Sequence, residues 1–220
     1  LLGERPEVPT LRFFIIKAIF LRAIGKYASG SALETLTIDD DCELHIPQLK
    51  GLETVDALDF SNKNLSTPSV VVIAKCLLGN TVLRTLNLSG NDNIGQAGLA
   101  ALSETLRINT RLKKLNLDGF ALPIRQLKGT EPVDELNLSS KRLGGASAMI
   151  IAKCIEVNPV LTTLDLFGNK VGAEGASALT AALAANVSLK RLDLRVNFGI
   201  DDAAKEKLKD PARDELNGQL

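Results

Sequence analysis

The chain has 220 residues, 45% of them hydrophobic, which is enough to bury a core as one elongated domain. Its 26 Lys and Arg balance 26 Asp and Glu, so there is no overall basic surface to hold nucleic acid or an anionic membrane. Cys42, Cys76 and Cys154 form no CxxC and no paired spacing, which argues against a disulfide framework or zinc site and for reduced core thiols.

The chain starts at Leu1 without a methionine. A fragment, a processed form or the ordered part of a longer protein is expected, and a targeting signal can be missing from it. Residues 1–10 carry two prolines and read as an extended lead-in. Thr10 can cap a helix over residues 11–28, LRFFIIKAIFLRAIGKYA, stopped by Gly30. Arg12, Lys17, Arg22 and Lys26 interrupt it too often for an ordinary membrane span, and they do not gather on one face. Two roles stay open. The helix closes the end of an elongated repeat fold, or Phe13, Phe14, Ile15, Ile16, Ile19 and Phe20 dock on a protein partner, a membrane surface being the weaker option.

A strand expected around residues 33–38 runs into Asp39, Asp40, Asp41 and Glu43. The run lacks the spaced ligands and glycine turn of a calcium loop and is expected to be a solvated acidic loop. His45 is the sole histidine, too isolated to anchor a metal site or a triad.

From there a pattern LxxLxLxxNxL recurs, clearest in LTTLDLFGNKV at residues 161–171. The central leucines are Leu36, Leu58, Leu86, Leu115, Leu136, Leu164 and Leu192, at steps of 22, 28, 29, 21, 28 and 28 residues. Such spacing is the signature of a solenoid, each leucine centring a short strand with its side chain inward. The short steps also repeat. QLKGLETVDALDF from Gln48 matches QLKGTEPVDELNL from Gln126, 78 residues on, and Ile73 to Cys76 matches Ile151 to Cys154 at the same offset. A three-repeat block has been duplicated.

Each long step carries a helix: 67–78, opened by Thr67 as N-cap with Pro68 in the first turn, then 96–108, 146–157 and 173–185. Each ends on an asparagine, Asn80, Asn109, Asn158 or Asn186, a residue type that tolerates the left-handed conformation able to stop a helix. The short steps contain Pro47, Gly51, Pro123, Gly129 and Pro132 and imply extended or irregular segments without a helix. Residues 201–209 form a charged partial unit that shields the last repeat, and 210–220 a frayed tail. The domains are therefore 1–30, lead-in and capping helix; 31–209, about seven repeats; and 210–220, tail.

The segments LRTLNLSGN, LKKLNLDGF, LTTLDLFGN and LKRLDLRVN, the 28-residue step and the G-x-x-G helix starts at Gly95 to Gly98 and Gly172 to Gly175 resemble the ribonuclease-inhibitor-like class of leucine-rich repeats. The arrangement with short steps is also similar to large repeat families of unicellular eukaryotes. The resemblance implies an α/β horseshoe with a parallel concave sheet, convex helices and an N-terminal capping helix. It leaves function wide, since the same frame serves inhibitors, sensors, GTPase activators and scaffolds. Lys63, Phe120 and Lys141 stand where the ninth-position asparagine belongs, so a continuous asparagine ladder is not expected there.

Three lanes of alternate residues face outward on the strands: Thr35, Ala57, Thr85, Lys114, Glu135, Thr163, Arg191; then Thr37, Asp59, Asn87, Asn116, Asn137, Asp165, Asp193; then Asp39, Ser61, Ser89, Asp118, Ser139, Phe167, Arg195. The candidate partner-binding residues are Lys114, Glu135, Asp165, Phe167, Arg191, Asp193 and Arg195, because aromatic and arginine anchors gather toward the C-terminal end. Phe13, Phe14, Ile16 and Phe20 are the candidate helix-docking residues. No nucleophile has a base in reach, no phosphate loop is present, and no cofactor or metal is expected. The expectation is a non-catalytic module binding a protein of unknown identity, in an intracellular and most simply cytoplasmic setting. The alternatives are an activator of a small GTPase, resembling the Ran GTPase-activating proteins, and a structural subunit of a ciliary or organellar assembly.

Overall fold

The leucine spacing becomes a strand spacing. The computed structural model describes residues 34–39 and 42–200. In it every central leucine sits within a strand: β1 (Thr35–Ile38), β3 (Ala57–Asp59), β4 (Thr85–Asn87), β5 (Lys114–Asn116), β7 (Glu135–Asn137), β8 (Thr163–Asp165) and β9 (Arg191–Asp193). Leu86, Leu115 and Leu164 are completely buried. Leu58 and Leu136, on the edge strands β3 and β7, are only partly buried.

The long steps form helices close to their expected bounds: α2 (Thr67–Leu77), α3 (Gly95–Ile108), α5 (Gly145–Ile155) and α6 (Gly172–Ala185). The cap of α2 is Ser66, one residue before Thr67, and Thr67 instead donates its hydroxyl to the Ile94 carbonyl of the next repeat. The helices pack in succession, α2 on α3, α3 on α5 and α5 on α6. The N-terminal helix expected over 11–28, with Phe13, Phe14, Ile16 and Phe20, and the unit expected at 201–209 lie outside the described residues.

The short steps depart from expectation. They leave six or seven fewer residues between strand centres than the 28-residue steps, too few for a strand-to-helix circuit. Instead the chain folds back on the strand just left. β2 (Cys42–His45) pairs antiparallel with β1, and β6 (Ala121–Pro123) pairs antiparallel with β5. Each return strand leads into a short helix, α1 (Ile46–Lys50) or α4 (Ile124–Leu127), where only irregular chain was expected. Among the described residues the expected single parallel sheet is thus three sheets: β1-β2, β3-β4-β5-β6 and β7-β8-β9. β6 occupies the edge of β5 on which a further parallel strand would have added. The molecule is two modules with an unbroken helical layer and an interrupted strand layer.

Asparagines hold the repeats together from both ends. At the strand exits, Asn91 accepts the N–H groups of Lys63 and Leu65 and donates to the carbonyls of Phe60 and Leu88. Asn169 does the same for Lys141, Leu143, Leu138 and Leu166. The turns that lack their own asparagine are therefore served by the next repeat's. Where the pattern carries Phe120 and Lys141, these meet across the module boundary, the Lys141 ammonium 5.4 Å from the Phe120 ring centroid.

At the helix ends, Asn80, Asn109, Asn158 and Asn186 are all buried. They do not adopt the left-handed conformation; Asn109 and Asn186 are extended, with φ of −67° and −78°. Their side chains end the helices by hydrogen bonding instead. Asn109 donates to the Leu77 and Asn80 carbonyls and accepts from Arg111 and Leu112. Left-handed backbone does close the short helices α1 and α4, at Gly51 and Gly129, both at φ +73°. A Cβ there would come within 2.9 Å of Asn80 Oδ1 and 2.7 Å of Asn158 Oδ1 respectively, so the turn and the asparagine clamp both require glycine.

Asp39 is no solvated loop residue. Half-buried at φ +56°, its carboxylate accepts the Ser66 N–H at 2.7 Å, the Ser66 hydroxyl at 2.5 Å and the Ser69 hydroxyl, capping α2 from the preceding repeat. Asp118 caps α5 likewise, accepting the N–H groups of Gly144 and Ser147 at 2.8 and 3.2 Å. Asp40 and Asp41 lie outside the described residues. The three cysteines are free and buried, and burial pushes the thiols of Cys76 and Cys154 up to about 11 and about 12.

Candidate functional site

Registration of the strands builds the outward lanes. Ala57, Thr85 and Lys114 are cross-strand neighbours, as are Glu135, Thr163 and Arg191; Asp59, Asn87 and Asn116 align beside the first set, and Asn137, Asp165 and Asp193 beside the second. The lanes hold within each sheet and stop at the module boundary.

Six of the seven candidate residues come together on β7–β9. Glu135, Asp165, Arg191 and Asp193 line a shallow hollow of about 190 Å³ with Leu136, Asn137, Thr163 and Leu164. Phe167 and Arg195 stand at its edge, two residues beyond the strand positions of Asp165 and Asp193. Lys114 is not among them. It lies on β5, between Thr85 of β4 and Pro123 of β6.

Arg195 is not a free anchor. Its Nε donates to both Asp193 oxygens at 3.0 and 3.1 Å and its Nη2 donates to Oδ2 at 2.6 Å. The same guanidinium lies 5.8 Å from the centroid of the Phe167 ring, which is 37% exposed. Asp193 is buried. Burial alone would push its carboxyl up, but the bonds from the Arg195 side chain and backbone more than offset this and hold it below the usual carboxylate value. Phe167, Asp193 and Arg195 thus form one locked rim. Glu135 and Arg191 remain exposed, and Asp165 is half-buried.

The middle lane has a local structural duty. The side-chain oxygens of Asp59, Asn87, Asn137, Asp165 and Asp193 each accept the N–H two residues on, and Asn116 accepts the N–H of Gly119. These Asx turns lift the chain off each strand. In Asp165 one oxygen serves the turn, whereas both oxygens of Asp193 are also taken by the Arg195 guanidinium.

Sequence reading missed the buried polar groups that join repeats. Lys128, at the end of α4, is 8% exposed, and its ammonium donates to the carbonyls of Leu106 and of Asn109, the latter at 2.9 Å. Burial lowers its pKa, with the nearby Cys154 opposing. The available signal was the duplication itself, which pairs Lys128 with Lys50. His45 Nδ1 lies 3.8 Å from Glu53 Oε2, too far for a hydrogen bond. Among the described residues no group of three or more His, Cys, Asp or Glu is placed to hold a metal, and no helix is long and apolar enough to cross a membrane.

Strand, turn and helix recurring at a 28-residue step, with asparagines clamping successive turns, define a leucine-rich-repeat protein. It is similar to the ribonuclease-inhibitor-like class. A model of the leucine-rich repeat family matches residues 79–103 and 157–179. Over 181 residues the chain is 29% identical to the ribonuclease inhibitor of Sus scrofa, covering 76% of this chain and 39% of that protein. Among solved structures it is similar to the leiomodin-1 actin-binding site 2, with 16% identity, a TM-score of 0.41 and coverage of 74% of this chain and 82% of that one. The tropomodulin C-terminal domain of Caenorhabditis elegans matches at 14% identity and a TM-score of 0.38, with 74% and 85% covered.

Proposed function

We propose that the chain is a non-catalytic protein-interaction module whose partner binds the β7–β9 strand face, on the concave side of a horseshoe. The observation that carries this reading is the hollow, where Glu135, Asp165 and Asp193 face a single cation, Arg191. Arg195 already neutralises Asp193. The remaining acids favour a partner that inserts one lysine or arginine side chain, with the exposed Phe167 as an adjacent apolar contact. An intracellular, reducing setting belongs to the same reading, which the unpaired thiols support.

The test compares faces. Glu135→Lys with Asp165→Lys reverses the hollow, while Asp59→Lys makes a similar change on the first module. Proteins captured by the intact chain are purified and titrated against each variant. A genuine partner loses at least about tenfold affinity with the hollow variant, a change of about 1.4 kcal/mol, and little with Asp59→Lys. Equal affinity for the intact chain and the hollow variant would remove β7–β9 as the binding face.

A further inference from the structure

The residues just ahead of the strands form a further lane, and backbone bonds place it. The N–H groups of Arg84 and Thr85 are donated to the Asp56 carbonyl, and those of Lys113 and Lys114 to the Arg84 carbonyl. In the second module Thr162 and Thr163 donate to Asp134, and Lys190 and Arg191 to Thr162. The lane therefore reads Asp56, Arg84, Lys113 in the first module and Asp134, Thr162, Lys190 in the second.

Charge on this face inverts at the module boundary. Outward from it, the first module presents Lys113 and Lys114 at β5 and Asp56 at β3. The second presents Asp134 and Glu135 at β7, then Lys190 and Arg191 at β9. All of these groups are exposed, and none belongs to an ion pair among the described residues. A basic partner of any kind would account for the acids of the hollow. It would not account for two lysines placed as far from the boundary on the other side. Opposite charges arranged evenly about one line are what a two-fold axis brings together, because in an isologous contact residue i meets j while j meets i.

We propose that the basic side chain entering the hollow is Lys114 of a second copy of this chain. The two copies pack strand face to strand face about a two-fold axis parallel to the strands and passing over β6. That axis sets β5 of one copy opposite β7 of the other, and β3 opposite β9. Lys114 then meets Glu135, Lys113 meets Asp134 and Asp56 meets Lys190, each pair occurring twice. In the next lane Asn116 faces Asn137 and Asn87 faces Asp165. Asp59 falls opposite Asp193, and this like-charged pair is relieved because Arg195 already neutralises Asp193. Such pairs set register and partner choice more than affinity. The inference rests on the β7–β9 reading for the face and adds what fills it.

Sedimentation equilibrium on the intact chain tests it, with Lys114→Glu, Glu135→Lys and the two changes combined in one chain. The expected wild type is a reversible dimer that weakens as salt is raised. Each single reversal should weaken it at least about tenfold. The combined variant should recover wild-type affinity, since the two-fold axis sets each reversed charge opposite the other, and an equimolar mixture of the two single variants should dimerise as well. Both positions are exposed, so thermal unfolding followed by circular dichroism should show every variant folded. A monomeric wild type, a dimer indifferent to both reversals, or a combined variant as weak as the single ones would each overturn the proposal. A monomer that still loses a captured protein on reversal of Glu135 and Asp165 would overturn the second copy alone and keep the hollow as a binding face. A dimer and a captured protein both indifferent to those reversals would remove both readings.

Discussion

The first module, from β1 to β5, and the second, from β6 to β9, share a frame and differ in face. The frame is matched group for group. Asn91 and Asn169 clamp the strand exits, Asn80 and Asn158 the helix ends, Gly51 and Gly129 the short-helix turns, and Asp39 and Asp118 the helix N-termini. The faces are not. Where the first sheet offers Ala57, Thr85 and Lys114, the second offers Glu135, Thr163 and Arg191; where the first has Ser61 and Ser89, the second has Ser139 and Phe167. Burial explains the division. A change within the frame leaves a buried polar group unsatisfied or a cavity, whereas an exposed strand residue such as Ala57, Lys114, Glu135 or Arg191 can change at little cost to the fold.

The largest expected effect probes the frame in both modules at once. Leu86 and Leu164 are completely buried at equivalent strand centres, so Leu86→Ala and Leu164→Ala should each cost about 2–5 kcal/mol in urea denaturation. A loss below about 0.5 kcal/mol at either would break the equivalence. Next come the strand-exit clamps. Asn91→Ala and Asn169→Ala each strip partners from two N–H groups and two carbonyls inside the stack, and the expected cost is about 1–3 kcal/mol, similar in the two modules.

Those leucines and asparagines were also the legible part of the sequence. A strand centre must bury one residue type at a fixed step, so all seven centres could be placed from leucine spacing alone. β2 and β6 were not legible. CELH and ALP are too short to show a period, and their flanking prolines and glycines resemble loop signals; only the pairing of β1 with β2 and of β5 with β6 makes them strands. The helix-stopping asparagines were located correctly but given the wrong mechanism, because a residue's tolerance for left-handed backbone says nothing about carbonyls presented by the repeat behind it. Asp39, Asp118 and Lys128 were overlooked as structural groups for the same reason: their partners lie 19 to 30 residues away in sequence. At the site, clustering on β7–β9 followed from the lanes, whereas the loss of Lys114 followed from β6.

A smaller effect separates the modules within the frame. Asp39 accepts three hydrogen bonds from Ser66 and Ser69, while Asp118 accepts two N–H bonds and Ser147 Oγ is left buried without a partner. Asp39→Ala should therefore cost more than Asp118→Ala, within about 0.5–2 kcal/mol. Its pH dependence has a definite sign. Burial raises the Asp39 carboxyl, but the serine bonds outweigh it and leave the pKa below the ordinary 3.8. The carboxylate's contribution is then fully present above that value and disappears as pH falls through the lowered folded pKa. Denaturation curves of wild type and Asp39→Ala, distinct at neutral pH, should converge in acid; a gap that widens there would show that the cap does not depend on the ionised form.

The smallest effect belongs to the rim of the hollow, where Arg195 is exposed and its removal should leave stability within the scatter of surface substitutions. Its influence is instead on Asp193. With Arg195→Ala the side-chain bonds vanish while the backbone N–H bond and the burial of the carboxyl remain, so the Asp193 pKa should rise from its lowered position. The shift is read from the side-chain carboxyl carbon in an NMR titration. An unchanged Asp193 would mean that the guanidinium does not rest on the carboxylate in solution, and Arg195 would return to being a mobile anchor for an acidic partner. A raised Asp193 keeps the rim locked, and it confines the free charge of the second module's face to Glu135, Asp165 and Arg191, the groups on which the proposed preference for a basic side chain rests.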